Sequence, residues 1–169
     1  MPCRITVGLL LAFAGLAAVA PPVRAQAASF LGKTAGQWQN ELTDKRPEVR
    51  RGAAFALGSL GKDATRSVDA LLLRAEKDDN AGVRDQTATA VGDVVLAAKI
   101  GGNLWPQAGP VLKRALTAEK DAKVRRSLLY AVGAFGPTAF TARDLLLQSL
   151  DDPRTGRAPK RRVGAGPPG

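Results

Sequence analysis

Val49-Arg50-Arg51-Gly52-Ala53-Ala54-Phe55-Ala56-Leu57-Gly58 is followed by Val83-Arg84-Asp85-Gln86-Thr87-Ala88-Thr89-Ala90-Val91-Gly92. A third copy reads Val124-Arg125-Arg126-Ser127-Leu128-Leu129-Tyr130-Ala131-Val132-Gly133. Each copy opens Val-Arg and closes Ala-aliphatic-Gly, and the starts lie 34 and then 41 residues apart. A phrase at such a period marks a repeat array, in which each unit buries its apolar face only against its neighbours.

Around each phrase the apolar residues recur at helical spacing. Val49, Ala53, Ala56, Leu57 and Leu60 form the first stripe; Val83, Thr87, Ala90, Val91 and Val94 form the second. Val124, Leu128, Ala131, Val132 and Phe135 form the third. Pro47 suits a first helical turn, where its missing N–H costs nothing. Gly58 and Gly61 end the first helix; Asp63 or Thr65 is expected to cap its partner, with Val68, Leu71, Leu72 and Ala75 facing inward. Asp78-Asp79-Asn80 reads as the turn into the second unit, whose first helix runs from 81 to about 98. The seven extra residues of the second period are assigned to a connector, 99–106, that carries Trp105; insertions in such arrays fall in loops. The partner helix then starts at Pro106 or Pro110 and carries Val111, Leu112, Ala115 and Leu116. The third unit pairs 121–135 with 138–150, the latter carrying Phe140, Leu145, Leu146 and Leu150. Upstream, Thr34 and Gln37 have capping-box spacing. Trp38 and Leu42 share a helical face, so 34–43 reads as a lid helix with Trp38 as its core plug.

The ends differ from the array. Ile5 to Ala20 is apolar and uncharged, preceded by Arg4 and followed by Pro21-Pro22 and Ala25-Gln26-Ala27. This is the pattern of a secretory signal peptide over 1–27, and its 16 apolar residues fall short of the ~20 of a spanning helix. The alternative is an uncleaved anchor. Cys3 precedes the apolar run, which disfavours a lipoprotein. The expected location is therefore periplasmic or secreted. The mature chain would hold no cysteine, and the sequence has no histidine, so thiol nucleophiles, imidazole bases, disulfides and the usual zinc ligands are excluded.

The formal net charge is +10. Seven cations lie in the two ends (Arg4, Arg24, Arg154, Arg157, Lys160, Arg161, Arg162), leaving 18 basic against 15 acidic residues between 28 and 152. That near-balance argues against nucleic acid as partner of the folded part. The tail, 153–169, is Pro, Gly and cations; it is expected to be disordered and offers a contact to an anionic envelope surface.

The phrase Pro/Ala-x-Val-Arg-x-x-Ala-x-x-Ala-Leu-Gly-x-Leu-Gly resembles the short HEAT repeat, of the variety associated with bilin-lyase-like bacterial proteins. The resemblance covers roughly residues 34 to 152. It is strong from Pro47 to Gly61, good in the third unit, and weaker in the second, where Thr87 and Val95 depart from the usual alanine and glycine. It implies an all-α fold, an α–α solenoid of about three helical-hairpin repeats behind the lid helix. It also implies that Arg50, Arg84 and Arg125 form a ladder with the upstream acids Asp44, Asp79 and Asp121. The phrases of tetratricopeptide and ankyrin repeats are absent. Deoxyhypusine hydroxylases, which are HEAT-like, hold iron with His-Glu pairs, and this chain has no histidine.

The function expected is that of a non-catalytic protein–protein interaction module, exported, presenting a curved helical surface; the alternative is an accessory subunit or lyase-like enzyme. No catalytic, metal or cofactor-binding residues are assigned. The binding candidates are Arg66, Arg74, Lys113, Arg114 and Arg143, polar positions on the second helices, which suit an acidic protein partner, together with Trp105, read either as a loop contact or as a loop anchor. The third unit's last helix, around Leu145, Leu146, Leu147 and Leu150, is expected to be incompletely covered and to promote self-association.

Overall fold

The computed structural model describes residues 27–142. The leader, positions 143–150 of the helix expected over 138–150 with their apolar patch, Arg143, and the basic tail lie outside the described residues; the described start of that expected helix, 138–142, is 3-10 rather than α-helical.

The described residues open with an antiparallel hairpin, β1 (Ser29–Phe30) and β2 (Lys33–Thr34). Leu31 and Gly32 between them both take positive φ, 48° and 76°, the two-residue turn that matches strand twist. Among the described residues six α-helices follow: α1 (Ala35–Glu41), α2 (Pro47–Leu60), α3 (Val68–Lys77), α4 (Ala81–Ala98), α5 (Gly101–Ala118) and α6 (Ala122–Ala134). Two 3-10 segments, Gly61–Ser67 and Gly136–Ala142, follow α2 and α6. The phrase-bearing helices α2, α4 and α6 pack side by side, and α3 and α5 pack behind them.

Helix α1 is the lid. Its capping box is complete: Thr34 Oγ1 accepts from the Gln37 N–H at 3.4 Å, and Gln37 Oε1 accepts from the Thr34 N–H at 2.8 Å. Trp38 is a core plug, as its spacing to Leu42 indicates; both are buried. The hairpin, which the sequence reading does not contain, anchors that plug. Trp38 Nε1 donates to the Phe30 carbonyl at 3.0 Å, Lys33 Nζ sits 4.4 Å over the indole, and Phe30 meets Phe55 edge-on at 5.9 Å.

The stripes fold as their spacing dictates. Every residue of the second and third stripes is buried, as are Val68, Leu71, Leu72 and Ala75. Thr87, an outlier in composition, is wholly buried with its hydroxyl donating to the Val83 carbonyl at 2.8 Å.

Two local expectations are corrected. Asp63 and Thr65 cap no helix: the chain leaves α2 through Gly61 (φ 53°), winds one 3-10 stretch, and enters α3 without a side-chain cap. The connector expected at 99–106 is the N-terminal third of α5, which runs unbroken from Gly101 to Ala118 through Pro106 and Pro110. The extra length of the second unit thus lengthens a helix. A proline inside a helix costs about 3 kcal/mol. Here Gly102, Pro106 and Pro110 are exposed residues four apart, so the carbonyls of Gly102 and Pro106, which the prolines leave without donors, belong to the wet side. On the dry side Trp105, Ala108, Leu112, Ala115 and Leu116 are buried, each large side chain contributing about 1.5–3 kcal/mol. Gly101 permits the entry: a β-carbon there would lie 2.9 Å from the Phe135 Cα, so no larger residue fits without separating α5 from the end of α6.

Candidate functional site

The Val-Arg arginines hold the array. Arg50, at 6% exposure, donates through Nε and one terminal nitrogen to the Asp78 carboxylate (2.8 and 2.7 Å), and through the other to the Asp44 and Lys45 carbonyls (3.0 and 3.1 Å). Arg84 repeats this one unit on, donating to Glu119 (2.7 and 3.2 Å) and to the Asp78 carbonyl (2.9 Å). Arg125 donates to the carbonyls of Leu116 and Glu119. Each arginine therefore staples the turn before its own helix, and Arg50 and Arg84 also grip the turn before the next.

The ladder exists, but the acids differ from those the resemblance implies. Asp44 gives its carboxylate to Arg46 and only its carbonyl to Arg50. Asp79 accepts from Arg50 and gives Arg84 its carbonyl. Asp121 caps α6, accepting from the N–H groups of Lys123 and Val124. The reason is reach: the terminal nitrogen turned back toward the preceding turn meets carbonyl oxygens, while the guanidinium fork points across to the following unit, where a bidentate carboxylate fits it.

Burial pushes the Asp78 carboxyl up, but the bonds from Arg50 and from the Asn80 N–H outweigh it and hold the group below the ordinary carboxylate range. Glu119 behaves alike: burial raises it, and Arg84 with the N–H of Asp121 brings it below. A carboxylate with a depressed folded pKa contributes stability that is present above its unfolded pKa, near 4, and lost as pH falls through the folded value. The urea midpoint is therefore expected to drop on acidification from about pH 5 to about pH 2, and to drop less steeply in Glu119→Gln. Equal slopes in the two proteins would remove Glu119 from the linkage.

The binding candidates are dispersed. Arg66 is exposed in the 3-10 segment before α3. Arg74, half-buried on α3, lies 3.7 Å from Asp78. Arg114, on α5, is paired with Glu76 at 2.7 Å, and Lys113 beside it is half-buried. Trp105 is not a loop residue: it is 8% exposed on α5, 5.2 Å from the Phe135 ring. It is withdrawn as a surface contact. Arg143 lies outside the described residues.

What sequence reasoning missed is an apolar groove between α1 and α3. It holds about 340 Å³ and is lined by Gln39, Asn40, Leu42, Thr43, Ala70, Leu73 and Arg74. Leu73 is 51% exposed, whereas its neighbours Leu71 and Leu72 are buried. The run Leu71-Leu72-Leu73 carried the signal, since one helix face cannot bury three successive leucines. Among the described residues no group of metal-ligating side chains comes together, and no helix is long and apolar enough to cross a membrane.

A search of curated proteins and one of solved structures each returned no match. The sequence model of HEAT repeats matches residues 37–133, from the lid helix to the closing glycine of the third phrase. Such repeats generally mediate protein–protein interaction. With paired helices stacked in register and an arginine staple at each turn, this chain belongs to the HEAT repeat family.

Proposed function

We propose that the protein is a non-catalytic, exported interaction module that holds an acidic segment of a partner protein in the groove between α1 and α3. The observation that carries this reading is Leu73, half out of the fold beside Arg74 on the rim of an apolar trough. An apolar anchor flanked by a cation suits a partner segment with an aliphatic or aromatic side chain next to a carboxylate. Arg66, exposed just before α3, and Lys77, exposed at its end, extend the cationic character, and between these two positions Asp69 is the exposed residue of opposite sign. Arg114, paired across to Glu76, braces α5 on α3, and its role here is positioning. Export is supported by the apolar N-terminal run and its small-residue exit.

The test is site-specific cross-linking. A photoreactive residue at position 73 in the native cell is expected to trap one protein in the envelope fraction. Leu73→Asp and Arg74→Gln are each expected to weaken binding of that purified partner at least tenfold, with unfolding midpoints unchanged. Equal affinity in both variants overturns the groove; trapping confined to the cytoplasm overturns export.

A further inference from the structure

The tip of the hairpin carries a residue that its turn does not favour. A two-residue turn with positive φ at both positions favours Asn-Gly, because asparagine and glycine enter the left-handed region most easily. Here the pair is Leu31-Gly32, at 48° and 76°. Leu31 is also 80% exposed, so it strains the backbone and wets an aliphatic side chain with no gain in burial. A local rule broken without gain inside the fold points to a contact outside it.

Phe55 extends the apolar surface. It is 55% exposed on α2 and meets the half-buried Phe30 edge-on at 5.9 Å. One turn earlier on α2, no described residue comes within 4 Å of a β-carbon at Gly52. The tip is held outward by its stem: the Phe30 carbonyl accepts from the Trp38 indole at 3.0 Å, and Lys33 lies over that indole and pairs with Glu41. Arg51, exposed one turn before Phe55, adds a cation, and the exposed acid of this helix, Glu48, lies a further turn away. The last described segment, Gly136–Ala142, packs on α5 and α6, at the opposite end of the array.

We propose that this tip, Leu31 with Phe55, inserts into the headgroup region of an anionic phospholipid bilayer. The proposal rests on the export reading at one point, the removal of residues 1–27 ahead of β1, and makes no use of the α1–α3 groove. Shape and placement select a bilayer as the occupant. A two-residue tip is convex and offers a partner protein no groove, whereas the headgroup region accepts an apolar tip with a cation beside it. The apolar run ends at Ala20, and the ten residues from Pro21 to Phe30 span at most about 36 Å, so the leader delivers the tip beside the membrane it crosses. A small apolar anchor holds a bilayer only marginally, and a stable contact takes a second, cationic signal. The sequence supplies one in Arg154, Arg157, Lys160, Arg161 and Arg162, with no acid after Asp152.

The test uses the mature chain, 28–169, and vesicles of phosphatidylcholine and phosphatidylglycerol at roughly 7:3. Wild type is expected to co-sediment with them. Leu31→Asn is expected to lower the partition coefficient at least about fivefold, the scale for taking part of a leucine side chain out of an apolar phase. Its unfolding midpoint is expected to equal or exceed that of wild type, since Asn-Gly suits the turn. Phe55→Gln is expected to weaken partition likewise, and Leu73→Asp to bind as wild type. The mature chain holds no cysteine, so Leu31→Cys takes a single environment-sensitive dye, whose emission is expected to shift to the blue on these vesicles. Absence of wild-type binding, an unshifted dye, or Leu31→Asn bound as tightly as wild type overturns the proposal; the last would leave the cationic tail as the contact. So does a dimer in light scattering that Leu31→Asn dissolves, which would make a second copy the occupant. These outcomes are read on purified mature chain and stand apart from the outcome for export.

Discussion

Arg50→Ala is expected to destabilise the protein by about 3 kcal/mol, the lower end of the scale for removing one partner of a buried ion pair. Asp78, at 4% exposure, loses both bonds of its guanidinium fork and keeps the Asn80 N–H at 3.0 Å and a distant Arg74 at 3.7 Å. The Asp44 and Lys45 carbonyls lose their donor as well. Residual partners and uptake of a proton by the stranded carboxyl keep the cost from rising to about 5 kcal/mol. Urea unfolding at neutral pH measures it, with the Arg46→Ala protein as comparison, since Arg46 pairs with Asp44 at the surface and its loss is expected to leave the midpoint unchanged. A loss under about 1 kcal/mol for Arg50→Ala would place the pair with ordinary surface salt bridges and refute the staple. Changing both Arg50 and Asp78 to apolar residues is expected to recover part of the loss, because an orphaned charge costs more than an absent pair.

The ladder also shows what a repeat phrase can tell and what it cannot. Its arginine recurs at an invariant place, so its structural role is legible in the spacing. Its acid does not recur at a fixed distance: Asp78 lies 28 residues after Arg50, and Glu119 lies 35 after Arg84. The offset changes because the second unit is longer, so an acid nearby in sequence looks like the natural partner while the one in reach sits a whole unit away. The stripes were legible for the opposite reason. Burial at 3, 4 and 7 spacing is a local property of one helix, and the residues of the second and third stripes obey it. The hairpin was not legible, because two strands of two residues carry no period. The α1–α3 groove is only half legible. A third consecutive leucine must be exposed, but that a lid helix stands beside it is decided by packing over some 30 residues of chain.

Trp105→Ala is expected to cost about 3–5 kcal/mol, the scale for deleting a large aromatic from a core. As a loop residue Trp105 would cost little, within about 0.5 kcal/mol for a surface substitution. The expectation of a loop rests on the seven extra residues of the second period, assigned to a connector whose composition includes Gly101-Gly102-Asn103 and Pro106. Burial overrides that composition: Trp105 packs on Phe135, and its indole lies against Gly109, where a β-carbon would approach to 2.9 Å. The first third of α5 has two glycines, a proline and little helical propensity, so the indole, with the close approach of Gly101 to Phe135, ties it to the third unit. Removing it is expected to do two things at once. The urea midpoint falls by the core amount, and amide exchange in Gly101 to Leu112 accelerates more than exchange in α2, which belongs to the first unit. A midpoint within 0.5 kcal/mol of wild type on the surface scale would return the segment to a loop. A full loss spread evenly over all six helices would instead mean that the array unfolds as one unit, with the indole acting on the whole stack and not on its last third.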